Sequence, residues 1–110
     1  MNSDIRSITK EGYKIVTLCG STRFKDEFTK VQNNELTLNG NLVISIEFFE
    51  TEVSNEIKLM LDNIHRRKIE MAHGIFVINK GGYIGTSTRN ELNYAVKIGK
   101  TVQYLELINS

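Results

Sequence analysis

Lys14-Ile15-Val16-Thr17-Leu18-Cys19-Gly20-Ser21-Thr22-Arg23 is the stretch that decides the fold. A short, mostly apolar run ends at a glycine, and two hydroxyl side chains and an arginine follow. Such a run, with no alternation of polar residues, reads as a strand buried on both faces. Ser21 or Thr22 is placed to cap a helix over about 24–38. Phe24, Phe28, Val31, Glu35 and Leu38 fall near one face of that helix, and Asn39-Gly40 stops it.

Working outward, the same alternation repeats. Leu42-Val43-Ile44-Ser45-Ile46 reads as a second strand with Phe48-Phe49 at its exit. Ser54 is placed to cap a second helix over about 55–72. On it Ile57, Met60, Leu61, Ile64, Met71 and Ala72 share one face at helical spacing. Gly74 breaks that helix, and Ile75-Phe76-Val77-Ile78 is the most apolar strand. A loop rich in glycine, Gly81-Gly82-Tyr83-Ile84-Gly85, leads to a helix from about Thr88 to Gly99, and Val102-Gln103-Tyr104-Leu105 makes a last strand. The order β-α-β-α-β-α-β implies an α/β fold. The expected architecture is a three-layer, flavodoxin-like or Rossmann-like parallel sheet with strand order 2-1-3-4. Residues 1–110 are expected to form one domain with an ordered core of about 14–106.

Composition narrows the function classes. The 110 residues are 40% hydrophobic and 25% charged, ordinary for a globular protein. A formal net charge of +1 gives no electrostatic track for nucleic acid. No stretch approaches the roughly 18 to 20 apolar residues that span a bilayer. The polar stretch from Met1 to Gly12 has no segment of signal-peptide type, and the single cysteine, Cys19, has no internal disulfide partner. Together these favour the cytoplasm and a small-molecule ligand, with no nucleic acid and no membrane.

In open parallel sheets, ligands bind outside the carboxyl ends of the strands, where the strand order reverses. Here that point lies between the first and third strands, and two loops leave the sheet there. The first holds Gly20, Ser21, Thr22 and Arg23. The glycine permits close backbone approach, the hydroxyls and a helix N-terminus offer donors, and the arginine can pair with a phosphate. The same residues also suit an ordinary turn with a cap and a solvated arginine, and the pattern lacks the second glycine and the Lys-Ser/Thr pair of a Walker A motif. In the second loop, Thr88-Arg89-Asn90-Glu91 fits a capping box, which would give Glu91 a structural role. The alternative is a carboxylate held in the first helical turn and aimed at the ligand cleft, available as nucleophile or charge stabiliser.

At these residues the chain resembles the nucleoside 2-deoxyribosyltransferase family, which includes 2′-deoxynucleoside 5′-phosphate N-hydrolases. The resemblance covers about 14–106. It rests on Leu18-Cys19-Gly20-Ser21-Thr22-Arg23, similar to a strand-end Gly-Ser-x-Arg. It rests also on Gly85 followed six residues later by Glu91-Leu92-x-Tyr94-Ala95, similar to the family's Glu-Leu-Gly-x-Ala helix start. The resemblance implies cleavage or transfer at the N-glycosidic bond of a nucleoside or nucleotide. It implies Glu91 as nucleophile and a homo-oligomer of at least two chains; the chemistry requires no cofactor or metal, and no ligand cluster with metal spacing stands out in the sequence. Gly20, Ser21, Thr22, Arg23, Gly85, Ser87 and Arg89 are the expected substrate and phosphate contacts.

The chain departs from the family pattern in places. Where relatives carry an aspartate on the helix before strand three, and a second one eight residues later, this chain has His65 and His73. Where they carry Asp or Ser six residues before the glutamate, it has Gly85, with Thr86 and Ser87 adjacent. His65, with an ordinary pKa near 6.5, is a candidate proton donor to the leaving base, against the plainer reading of a surface histidine among Arg66, Arg67 and Lys68. Lys68 reads as a snorkelling side chain, and Cys19 as a small buried residue with no base beside it. Glu47, Glu50 and Glu52 read as cleft or solvent carboxylates. Arg89 is open to phosphate binding or to pairing with Glu91. The departures keep a second reading in play, a nucleotide-binding or sensing module of the same fold without turnover, and behind it a plain interaction subunit.

Overall fold

The computed structural model describes residues 12–108. The reading of Met1 to Gly12 as a polar stretch therefore lies outside the described residues, apart from Gly12. Four parallel strands form one sheet in the order β2-β1-β3-β4, as the alternation predicts. These are β1 (Lys14–Gly20), β2 (Asn41–Ile44), β3 (Gly74–Ile78) and β4 (Thr101–Tyr104). Helix α1 (Lys25–Lys30) joins β1 to β2, α2 (Asn55–Met71) joins β2 to β3, and α3 (Thr86–Lys97) joins β3 to β4. In register, Val16 lies opposite Val43 on one side of β1 and opposite Gly74 on the other. No helix among the described residues is long and apolar enough to cross a membrane.

Strand alternation sorts β1 and β3 between the two helical layers. Val16, Leu18, Phe76 and Ile78 pack with Phe28, Val31 and Leu36 of the α1 segment. Thr17 and Cys19 point the other way, towards α2: the Thr17 hydroxyl donates to the Lys68 carbonyl at 2.9 Å. Ile75 and Val77 meet Ile69 of α2 and Leu92 and Ala95 of α3 on that same side.

Three sequence expectations are corrected here. The first helix does not stay α-helical to residue 38: α1 passes into a π-helical segment, Val31–Leu36, and then a 3₁₀ turn, Thr37–Asn39. The wider π turn brings residue 36, five after Val31, back to the face that Val31 occupies. Leu36 is therefore buried, while Glu35 and Leu38 are exposed. The second strand ends at Ile44, two residues early. The largest correction concerns α2. Of the six residues of its expected apolar face, Ala72 is buried and Leu61 half-buried, but Ile57, Met60, Ile64 and Met71 form a stripe that faces solvent, and the side turned to the sheet buries His65 and Ile69. At about 100° per residue those two sides are roughly a third of a turn apart. The helix is seated by its less apolar side.

Two details position the loops at the carboxyl edge. Asn79, at the end of β3, is buried and clamps the backbone of Glu106: its amide donates to the Glu106 carbonyl at 3.1 Å and its carbonyl accepts from the Glu106 N–H at 2.9 Å. Gly81 and Gly82 then turn with positive φ, a region that strains any residue with a Cβ. The result is a short, tethered connection from β3 into α3.

Candidate functional site

The carboxyl edge of the sheet opens into a branched cleft. One arm of about 340 Å³ is lined by Gly20, Ser21 and Thr22 after β1 and by Tyr83, Gly85, Thr86, Ser87, Thr88 and Glu91 around the start of α3. A second arm of about 150 Å³ includes Gly20, Thr22, Asp62, His65 and Glu91. A third, about 530 Å³, lies under the β2–α2 connection and includes Thr22, Phe48, Phe49, Glu50 and Glu52. Glu91 borders the first two arms and Thr22 borders all three. The two loops singled out from the sequence are thus the walls of one cleft.

The first turn of α3 is built differently from its sequence pattern. Thr88 is not the cap. The helix begins two residues earlier, with Gly85 at the N-cap position and no side-chain cap. Thr88 is a buried helical residue, and the Arg89 N–H donates to the Gly85 carbonyl at 2.9 Å. The capping box is therefore absent, and Glu91 is free of that duty. The uncapped N–H groups of the first turn, which carry the positive end of the helix dipole, border the 340 Å³ arm.

Glu91 instead turns inward. Its carboxylate oxygen lies 3.5 Å from Nε2 of His65, and that same nitrogen lies 3.3 Å from Sγ of Cys19. Burial, reinforced by the negative charge of Asp62, raises the Glu91 pKa to about 7. Burial lowers that of His65 to about 4, with the Lys68 ammonium adding to the effect. Burial, and then the neighbouring Glu91 charge, pushes the Cys19 thiol well up. Burial thus pushes both partners of the 3.5 Å contact towards their neutral forms, and with His65 unprotonated near neutral pH the contact is not an ion pair there.

Gly20, Ser21, Thr22, Gly85, Ser87, Glu91 and His65 all border the cleft. Gly20 also has a packing role: a Cβ there would sit 3.1 Å from the Ile78 Cβ and 3.2 Å from Phe28, so the glycine lets β1 close onto β3 and α1. Ser21 accepts the Arg23 N–H at 3.3 Å in a local turn. Arg23 is exposed at the rim, with its guanidinium 4.0 Å above the Tyr83 ring. Arg89 is not brought to the cleft. It is exposed, and two residues along a helix from Glu91 it points to another side, so it neither lines an arm nor pairs with that carboxylate. His65 is no surface residue, and an ordinary pKa does not hold for it, so it does not serve as an imidazolium donor near neutral pH. Lys68 does more than snorkel: it donates to the Ser45 carbonyl at 2.8 Å and pairs with Glu47.

No family model, curated protein or solved structure matches this chain.

The functional reading therefore rests on the chain's own side chains. Sequence reasoning missed two of them. Cys19 does have a base beside it, and Asp62 borders the 150 Å³ arm and, with Ser87 and Glu91, a small recess of about 60 Å³ next to it. Asp62 was detectable in principle, three residues before His65 and so on the same helical side. His73, the second replacement position, lies at the opposite edge of the sheet. Its Nδ1 accepts the Ile15 N–H at 2.9 Å, a structural task remote from the cleft. The expectation of no ligand cluster is also corrected: among the described residues the fold brings Cys19, His65 and Glu91, far apart in sequence, to within 4.8 Å of one another at their ligand atoms.

Proposed function

We propose that the chain acts on the N-glycosidic bond of a nucleoside or a nucleoside 5′-monophosphate, with Glu91 as the nucleophile. The observation that carries this reading is the position of Glu91. It is a carboxylate largely withdrawn from water, relieved of any capping role, at the point where arms of the cleft meet on the carboxyl edge of the sheet. Breaking the bond from C1′ to the base leaves positive charge on the sugar. A carboxylate on the far face stabilises that charge, or forms an ester with C1′ as the electron pair departs with the base. The base takes up a proton from solvent; water entering the open cleft then adds its hydroxyl to C1′, releases the sugar and restores the Glu91 carboxylate, and the water's other proton returns to solvent. A second nucleobase in place of water gives transfer. His65 and Cys19 position the carboxylate from behind. A 5′-phosphate fits the 340 Å³ arm, where the uncapped turn of α3 and the Ser21-Thr22 turn face each other and Arg23 closes the rim.

Incubation of the chain with a panel of nucleosides and 5′-monophosphates, with chromatography for free base, tests the reading. Base release from at least one monophosphate supports it. A ligand-dependent rise in melting temperature without any base release moves the assignment to a binding or sensing module.

Self-association belongs to the same proposal. The exposed stripe of Ile57, Met60, Ile64 and Met71 on α2 is continuous enough to be covered by a second copy. Light scattering is expected to show at least a dimer at micromolar concentration, and Ile64→Asp, which places a charge in the stripe, is expected to yield monomer with the fold intact. A wild-type chain that scatters only as a 12.6 kDa species removes the stripe's assignment.

A further inference from the structure

Directly behind the cleft, three elements place chemically active side chains against one another. Cys19 comes from the end of β1, His65 from the middle of α2 and Glu91 from the second turn of α3. The Cys19 Sγ, a His65 ring nitrogen and a Glu91 carboxylate oxygen all lie within 4.8 Å of one another. We propose that these three side chains bind a Zn²⁺ ion, with a fourth coordination position open to the cleft.

A thiol nucleophile with a histidine relay would need Cys19 and Glu91 on opposite nitrogens of the imidazole. Here both partners approach the same nitrogen, Nε2. That atom offers either one proton or one lone pair, so it cannot make two good hydrogen bonds at once. A cation at the shared focus satisfies all three donors together.

The spacings agree with that focus. With zinc–sulfur bonds of about 2.3 Å, and zinc–nitrogen and zinc–oxygen bonds of about 2.0 to 2.2 Å, a tetrahedral site has donor-to-donor edges of about 3.3 to 3.6 Å. The sulfur-to-nitrogen and nitrogen-to-oxygen separations are 3.3 and 3.5 Å. The donor set selects the metal. One thiolate, one imidazole and one carboxylate suit zinc, whereas calcium and magnesium take oxygen ligands. His65 and Glu91 both border the 150 Å³ arm, which gives the ion a way in and a place for water or ligand at the fourth position. On coordination the Zn–S bond replaces the S–H bond and the thiol proton passes to solvent, with no change of oxidation state.

This inference goes beyond the glycosidic reading and uses the same carboxylate. Glu91 bound to zinc is not available to a sugar, so the metal would hold the proposed activity off.

The test is metal binding by the full chain after treatment with a chelator. One equivalent of Zn²⁺ retained through gel filtration is expected. Co²⁺ is expected to give a thiolate-to-metal charge-transfer band that Zn²⁺ abolishes. Because Cys19 is the chain's single cysteine, that band reports on Cys19 in the wild type alone, whether or not a variant folds. Folded Cys19→Ser and His65→Gln, checked by circular dichroism, are expected to bind Zn²⁺ at least tenfold more weakly. Absence of the thiolate band, or unchanged zinc affinity in a folded variant, overturns the site. Base release is followed on metal-free and zinc-loaded protein. Failure of the metal-free chain to release base strikes the glycosidic reading alone, whereas full release by zinc-saturated chain shows the ion bound elsewhere and overturns this one.

Discussion

The two faces of the sheet are built from the same strands and do different work. On the α1 face, Val16, Leu18, Phe28, Val31, Leu36, Phe76 and Ile78 make a core of hydrocarbon. On the other face, Cys19, Ile69, Ile75, Val77, Leu92 and Ala95 pack just as closely, but Thr17 and His65 are buried among the helices as well. A buried polar group costs free energy unless it finds a partner. Among the described residues no buried side-chain nitrogen or oxygen lacks one. The first face is therefore a source of stability. The second gives up some stability to hold a carboxylate, an imidazole and a thiol in register at the edge of the cleft.

Substitutions on the two faces should separate cleanly. The largest effect is expected from Glu91→Gln on the second face. It keeps the shape and, with no capping box to break, leaves the helix start untouched. Base release should fall by at least about a thousandfold, about 4 kcal/mol of barrier, with circular dichroism unchanged. Retention of most of the release removes Glu91 from the chemistry. On the first face, Phe28→Ala should cost about 3 to 5 kcal/mol in urea unfolding while turnover per folded molecule stays as it was. If turnover falls with it, the faces are coupled and the contrast is too simple.

A third measurement uses pH on metal-free protein. Glu91 has a folded pKa of about 7 against 4.5 for the free group. Between those values the folded chain holds a proton that the unfolded chain has lost, so this group's contribution falls as pH rises through the window. His65 acts in the opposite sense: folded it titrates at about 4 against 6.5, so its contribution falls as pH drops from 6.5 to 4. Glu91→Gln removes only the first slope. Its stability advantage over the wild type, followed by urea unfolding, should grow from pH 4.5 through 7 and level off about a unit above, reaching at most about 3 kcal/mol and less where water reaches the carboxylate. A difference that does not change with pH means that burial does not govern Glu91. The smallest effect belongs to the rim. Arg23→Ala should weaken use of a monophosphate by about 1.5 to 3 kcal/mol and leave the free nucleoside almost unaffected. Equal losses on both would make Arg23 a structural partner of Tyr83.

The strand order and the cleft walls were legible because glycines and hydroxyls mark the ends of β1 and β3, and because apolar runs of strand length leave few alternatives. What surrounds Glu91 was not. Thr88-x-x-Glu91 satisfies the local rule for a cap, yet the tethered loop after Asn79 starts the helix at Thr86 and carries Glu91 past the cap position. The seating of α2 was hidden for a related reason. Periodicity finds the apolar stripe of a helix but not what covers it, and here Ile57, Met60 and Ile64 are turned from the sheet that holds His65. Contact between Cys19 and His65, 46 positions apart, exists only once the crossover is made.

The π-helical turn at Val31–Leu36 has a consequence for chain length. Five positions separate Val31 from Leu36, and both are buried against the same strands. Deleting one residue among Gln32, Asn33 and Asn34 leaves a separation of four, the spacing of an ordinary α-helix. Both side chains then still reach the sheet, while Phe28 upstream keeps its place. The segment is thus a point where this domain can lose a residue without losing its core, and a shorter sequence differing there by a single gap would describe the same architecture with one unbroken first helix.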